Sequence, residues 1–322
     1  MKRKIGVALC VLGVLLAIFG IIWITAIWPS LARIPADLDQ ETIQQGTVTR
    51  YNPDNDAYDN YSVTNSRHYV AVKASKDIVY LDETITFRDA ATGEQTLALQ
   101  PLHANYLLAI DRVTRKNVPG HGDGDRDGNY SFPFNVSKTE TYPFWNEGNP
   151  ENINCEWTGA EEDFEGLHVY VFEMSTPEGG LITPAGFLPP DLQIYQPEMR
   201  IDQTITMYVE PVSGVTVYFK STTKRSGQIP WPDPLYPATG PMTYKDVTFY
   251  KDNLTFTQDT IDDLVGQARS AKTQVTFAKN LLPWLSIGGG IVLVAVGVFL
   301  ARRSGQVAPP PAAGVTEQSQ PK

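Results

Sequence analysis

The chain has 322 residues, 42% of them hydrophobic, and a formal charge of −10. All acidic residues but Glu317, and all basic ones but Lys2, Arg3, Lys4, Arg302, Arg303 and Lys322, fall between Pro29 and Asn280, so that stretch carries 35 acidic against 20 basic side chains, net −15. Such a segment repels nucleic acid and anionic headgroups, which excludes both as direct partners. With only Cys10 and Cys155 present, no disulfide framework is available and the domain must stand on its core.

In chain order, a basic end (1–4) precedes an uncharged apolar run from Ile5 to Trp28. A run of that length crosses a hydrocarbon core of about 30 Å, and buried core helices rarely stay apolar on every face for so long. Its apolar stretch exceeds a signal peptide's core, and the small-residue cleavage signal is poor, so an uncleaved anchor is expected. A second uncharged run covers Leu281–Ala301, followed by Arg302 and Arg303. Basic flanks stay cytoplasmic, which predicts both termini inside, the segment between the spans outside, and location in the cytoplasmic membrane. Trp23, Trp28 and Trp284 stand where an interfacial aromatic belt would lie. Gly6, Gly13 and Gly20 repeat every seven residues, as do Gly290 and Gly297. The antiparallel spans are expected to pack along these glycine faces.

Residues 29–256 read as a β-rich extracytoplasmic domain. Short β-branched or aromatic runs occur at His68–Ala74, Ile78–Leu81, Thr84–Phe87, Tyr106–Ile110 and Leu167–Met174. Thr204–Glu210 and Val215–Thr222 flank Pro211-Val-Ser-Gly214, which predicts a hairpin. Asp89–Gly93 predicts a turn, and the proline-rich stretches Pro177–Pro197 and Gln228–Pro241 predict irregular loops. A capping box at Thr260–Asp263 opens an amphipathic stalk helix (257–280) with Ile261, Leu264, Val265, Ala268, Ala271, Val275 and Ala278 at helical spacing. It is expected to run into the second span (281–301), with a kink at Pro283. The tail 302–322 is expected to be a disordered cytoplasmic segment. The fold class is therefore mainly β: an antiparallel ectodomain with a C-terminal amphipathic helix, flanked by two transmembrane helices.

Candidate chemistry is sparse. Asp123, Asp125 and Asp127, followed by Gly128, match the first half of a calcium loop. Phe134 stands where the bidentate Glu belongs and Arg126 offsets charge, so a flexible acidic turn competes with the calcium reading. No G-x-S-x-G, H-E-x-x-H or phosphate-binding glycine loop occurs, and His68, His103, His121 and His168 are scattered. Cys155 reads as a small buried apolar residue. The expectation is a non-enzyme without catalytic or cofactor-binding residues.

After the first anchor come Gly46-Thr-Val-Thr, Leu108-Ala-Ile-Asp-Arg112, Phe132-Pro-Phe134, Lys138–Phe144, Gly166–Glu173 and Tyr208–Gly214, in that order. This order resembles the bacterial porin PorA-like family, whose function is unknown; its motifs are structural rather than catalytic. The topology also resembles the class B scavenger receptors, which carry lipids through a tunnel in a β-rich ectodomain. That resemblance implies, for the segment between the spans, binding or transport of a lipid or other hydrophobic envelope component. The alternative is a scaffold that binds envelope polymers or partner proteins.

Overall fold

A computed structural model describes residues 2–52, 54–95, 99–146, 151–176, 180–182, 199–231 and 243–303. The chain forms two units, a helical one up to Leu31 and from Phe277 onward, and a β unit spanning Ala32–Thr276. Most of the expected loops Pro177–Pro197 and Gln228–Pro241, and the tail from Ser304, lie outside the described residues.

In the helical unit, α1 (Lys2–Ile22) passes through a π-helical segment (Trp23–Ile27) into the short α2 (Trp28–Leu31). In the β unit, Ile34 tucks under the sheet, its amide donating to Arg112 O at 2.8 Å. Eleven antiparallel strands follow among the described residues: β1 (Asp39–Asn52), β2 (Ala57–Ala74), β3 (Ile78–Asp89), β4 (Ala104–Asp111), β5 (Tyr142–Asn146), β6 (Glu151–Phe164), β7 (Leu167–Ser175), β8 (Gly180–Ile182), β9 (Met199–Val209), β10 (Thr216–Trp231) and β11 (Thr243–Phe256). They make one sheet in the order β4-β3-β2-β1-β11-β10-β9-β7-β6-β5, with β8 paired to β9.

Register fixes which side chains share a face. Asp89, Val63, Gly46, Leu254, Ser221, Ile205, Met174, Cys155 and Tyr142 stand opposite one another in turn across nine strands. Most of this face is buried; Val63 and Cys155 are completely covered. Two short segments fill it further. Leu99 and Leu102 pack with Val48, Val63, Ile85 and Phe87. Phe132 packs with Tyr142, Ile153, Phe172 and Met207. Covering this face is what allows strands with a polar outer side to hold together without disulfides.

The sheet's two edges meet. Ile110 of β4 bridges Asn117, Lys116 bridges Asn129, and Asn129 bridges Phe144 of β5. The amides of Val118, Asn117 and Asn129 donate to Ala109 O, Gly128 O and Pro143 O at 2.9, 2.9 and 2.6 Å. The 116–129 segment thus closes the ring and removes both exposed edges.

After β11, α3 (Gln258–Gln274) is capped by Thr257, whose hydroxyl accepts from the Thr260 amide at 3.4 Å. The helix therefore starts before the expected box at Thr260, because Thr257 supplies the capping oxygen. Ile261, Leu264, Val265 and Ala268 bury against Leu167, Val169, Val217 and Phe256. A π-helical segment (Val275–Leu281) then leads into α4 (Leu282–Arg303). Where a kink at Pro283 was expected, the chain is π-helical over Val275–Leu281, a segment that ends two residues before the proline.

The strands differ from expectation in extent. Ile78–Leu81 and Thr84–Phe87 are one strand, and β10 continues through Ile229 to Trp231, where a loop was expected to start. Gln228 and Ile229 pair with Asp246 and Lys245 of β11, so tertiary pairing overrides the nearby proline. The short β8 likewise lies within the expected 177–197 loop.

Candidate functional site: a buried polar row and a glycine seam

The sheet's inner face is apolar at both ends and polar across its middle. Asn146 Nδ2 donates to Gln203 Oε1 at 3.1 Å, and Gln203 Nε2 donates to Thr223 Oγ1 at 3.2 Å. The Thr223 amide donates to Asp252 Oδ1 at 3.1 Å, and Tyr250 Oη to Asp252 Oδ2 at 2.7 Å. The Arg225 guanidinium sits over the Tyr250 ring, 5.3 Å from its centroid. Asn146, Thr223, Arg225, Tyr250 and Asp252 are all buried. The row joins β5 to β9, which are not neighbours in the sheet, and so ties the two sides of the ring.

Burial of this row has an electrostatic cost. Desolvation pushes the Asp252 carboxyl up to about 6, although Tyr250, Arg225 and Thr223 all favour its charged form. Burial also lowers Arg225, and it holds Tyr250 protonated. Because the folded value for Asp252 lies above the ordinary 3.8, its protonated form favours the fold. That stability is present below pH 4 and is lost as pH rises through about 6. At about 1.4 kcal/mol per unit, the loss is about 3 kcal/mol at neutral pH. Asp252→Asn is expected to raise the melting temperature relative to wild type at pH 7.5 and to match it at pH 4. A variant less stable than wild type at pH 7.5 would overturn this account.

A second buried group lies under the hairpin 209–216. The Glu210 carboxylate, completely buried, accepts from the amides of Val212 and Ser213 at 3.1 and 2.7 Å. Its other oxygen pairs with Lys272 Nζ of α3 at 3.1 Å. The predicted Pro211–Gly214 turn is therefore closed by its own glutamate and pinned to the helix.

The acidic loop does not assemble into a cation site. Asp123 Oδ2 accepts from the Leu107 amide at 2.6 Å, and Asp125 Oδ1 from the Gly120 amide at 2.9 Å. Asp127 Oδ1 accepts from Asn152 Nδ2 of β6. The three carboxylates are drawn to three different donors because the loop is part of the ring-closing segment. Among the described residues no group of three His, Cys, Asp or Glu side chains is placed to hold a metal ion. One oxygen of each carboxylate is thereby engaged as an acceptor within or beside the segment. Sequence reasoning misses this because the donors lie on strands distant in the chain.

Cys155 is fully covered, and burial pushes its thiol up to about 12, which keeps it protonated and poorly nucleophilic. His68 pairs with Asp39 at 2.7 Å and His168 with Glu161 at 2.9 Å, both at the surface.

In the helical unit the glycine faces meet. A Cβ on Gly6 would stand 2.6 Å from Gly297 O, and one on Gly13 would stand 2.5 Å from Gly290 O. Gly20 faces Pro283 and Ile287. Cys10 Sγ lies 3.6 Å from Val294 O in the same seam. Ile5, Leu12, Leu15, Ile291 and Phe299 point outward. The continuous helices Arg3–Leu31 and Gln258–Arg303 are each long and apolar enough to cross a membrane.

Two such helices, one before and one after the β unit in the chain, define a class: a β-rich domain that lies in sequence between two apolar helices long enough to cross a membrane. Residues 5–299 match the family model described as porin PorA, and the chain belongs to that family. Among solved structures it is similar to a DUF1329 family protein from Desulfovibrio piger, at 11% identity, covering 76% of this chain and 90% of that one with a TM-score of 0.21. At that score the likeness carries no argument. No curated protein matches it significantly.

Proposed function

We propose that this is a non-enzymatic scaffold of the cell envelope, anchored in the cytoplasmic membrane with both termini inside and its β unit outside. The observation that carries this reading is the occupied inner face. Its apolar clusters enclose Phe132 and Leu99, and its polar residues are bonded to one another across the ring. A cleft at Thr84–Thr86 and His103–Asn105 measures about 280 Å³ and is open to solvent, below the ~300–1,000 Å³ of small-ligand pockets. A lipid conduit needs a continuous apolar passage, and a porin-like pore through the sheet needs a hollow one. The first fits poorly with a face lined by Arg225, Asp252 and Gln203, and the second with polar groups that bond to one another across it.

The surface offered to an envelope component lies at the β1–β2 tip. Strands of fourteen residues carry that tip about 45 Å along the sheet. There Tyr58 and Tyr244 are exposed, the tilted rings of Tyr51 and Tyr58 lie 5.7 Å apart, and Lys245 pairs with Asp56. Full-length protein in nanodiscs is expected to co-sediment with insoluble envelope polymer, and Tyr58→Ala with Tyr244→Ala to reduce this. Stoichiometric lipid in native mass spectra, displaced by Thr223→Trp, would instead establish lipid carriage.

A further inference from the structure

Both helices of the hairpin become π-helical, at Trp23–Ile27 and Val275–Leu281. The two segments are joined by one side-chain bond: the indole Nε1 of Trp23 donates to Ala278 O at 2.6 Å. The choice of that carbonyl follows from Pro283, which has no amide hydrogen. In an α-helix each carbonyl accepts from the residue four ahead, so Pro283 leaves Lys279 O without a partner. In a π-helix it accepts from the residue five ahead, and the orphan becomes Ala278 O. Trp23 donates to the carbonyl that the π register, and not the α register, leaves empty.

We propose that Trp23 is a clasp that holds the 275–281 segment in its π register, the indole N–H replacing the hydrogen-bond donor that Pro283 lacks. Phe19, whose ring centroid lies 5.7 Å from that of Trp23, fixes the indole's direction. On the facing helix, Thr25 and Ser30 hydroxyls donate to Ile21 O and Ala26 O at 2.9 and 3.0 Å, so its carbonyls are served locally. The segment adjoins an apolar span, where water is a poor substitute for a lost donor. Releasing the clasp lets the segment return to the α register, which moves the orphan to Lys279 O. It also turns the side chains after Leu281 by about 100° about their own helix axis, one residue's rotation. The clasp is thus a conformational device: one indole bond sets the rotational phase of the second span.

The test is a double-mutant cycle on the full-length protein in nanodiscs, read by amide hydrogen exchange over residues 276–285. Trp23→Phe keeps an aromatic ring but removes the donor, and should raise exchange there about tenfold, the loss of one hydrogen bond. Pro283→Ala supplies the missing amide, so in that background Trp23→Phe should change exchange by less than about twofold. An equal rise in both backgrounds would reduce Trp23 to a packing or interfacial residue, and no rise with Pro283 present would remove the clasp altogether. If Trp23→Phe alone does not fold, recovery of wild-type melting by adding Pro283→Ala supports the clasp, and failure to recover overturns it.

Discussion

Phe132→Ala is expected to destabilise the β unit by about 3–5 kcal/mol, the range for emptying a large aromatic from a packed core. Phe132 is only 1% exposed, and its ring centroid lies 5.1 Å from Tyr142, 5.1 Å from Phe144 and 4.9 Å from Phe172. Those partners come from β5 and β7, while Phe132 itself belongs to no strand. Few backbone bonds hold its segment: Asn135 and Val136 donate to Val212 O and Pro211 O at 3.0 and 2.7 Å. Refilling the space requires β5 and β7 to move inward, and their ladder to β6 opposes this. Tyr244→Ala, at a residue 64% exposed, should stay within about 0.5 kcal/mol. Denaturant unfolding of the solubilised protein, followed by tryptophan fluorescence, measures both. A Phe132→Ala loss no larger than that of Tyr244→Ala would mean that the inner face does not depend on this residue.

Gly290→Val should separate the helical hairpin, whereas Gly288→Val and Gly289→Val should not. The three glycines are consecutive, so composition and membrane depth are matched. A Cβ on Gly290 would collide with Gly13 O and lie 3.0 Å from the Ala17 amide; nothing lies within 4 Å of one on Gly288 or Gly289. The colliding atoms are backbone, which cannot rotate aside as a flexible side chain would. Relief requires the helices to part, with a loss at or above the ~1–3 kcal/mol of core overpacking. In membranes that loss falls on close van der Waals contact, since lipid supplies no compensating hydrophobic force. Titration with SDS, read by Trp23 and Trp284 fluorescence, should show the midpoint falling for Gly290→Val alone. Equal falls for all three variants would mean that glycine serves backbone flexibility here, not close approach.

The spans were legible in the sequence because an uncharged run longer than twenty residues needs no tertiary partner to be read. The glycine repeat was legible for a related reason: a period of seven places residues on one face of any helix. The 204–222 hairpin was equally plain, its turn chemistry being contained in Pro211–Gly214. Other strands were hidden. In β1, Gln44 and Arg50 share the inner side with Val48. In β11, Asp252 stands between Tyr250 and Leu254 on that side. Where the buried face is itself polar, the apolar–polar alternation that marks a half-buried strand is lost.

The acidic loop shows the same boundary between local and distant information. Spacing alone makes Asp123, Asp125 and Asp127 a fragment of a calcium loop, while the fold turns one oxygen of each toward a different donor, on Leu107, Gly120 and Asn152. Two of those donors sit on β4 and β6, strands the sequence gives no reason to bring near the loop. The sequence by itself determined where the chain is apolar enough to leave water, which turns close locally and which helix faces are small. Only the tertiary structure decided that the sheet closes on itself, that its centre is a hydrogen-bonded polar row, and that Trp23 meets the carbonyl freed by Pro283. Those depend on donors and acceptors on different elements, 57 residues apart for Asn146 and Gln203 and 255 for Trp23 and Ala278, and an unpaired buried polar group is costly wherever in the chain its partner lies.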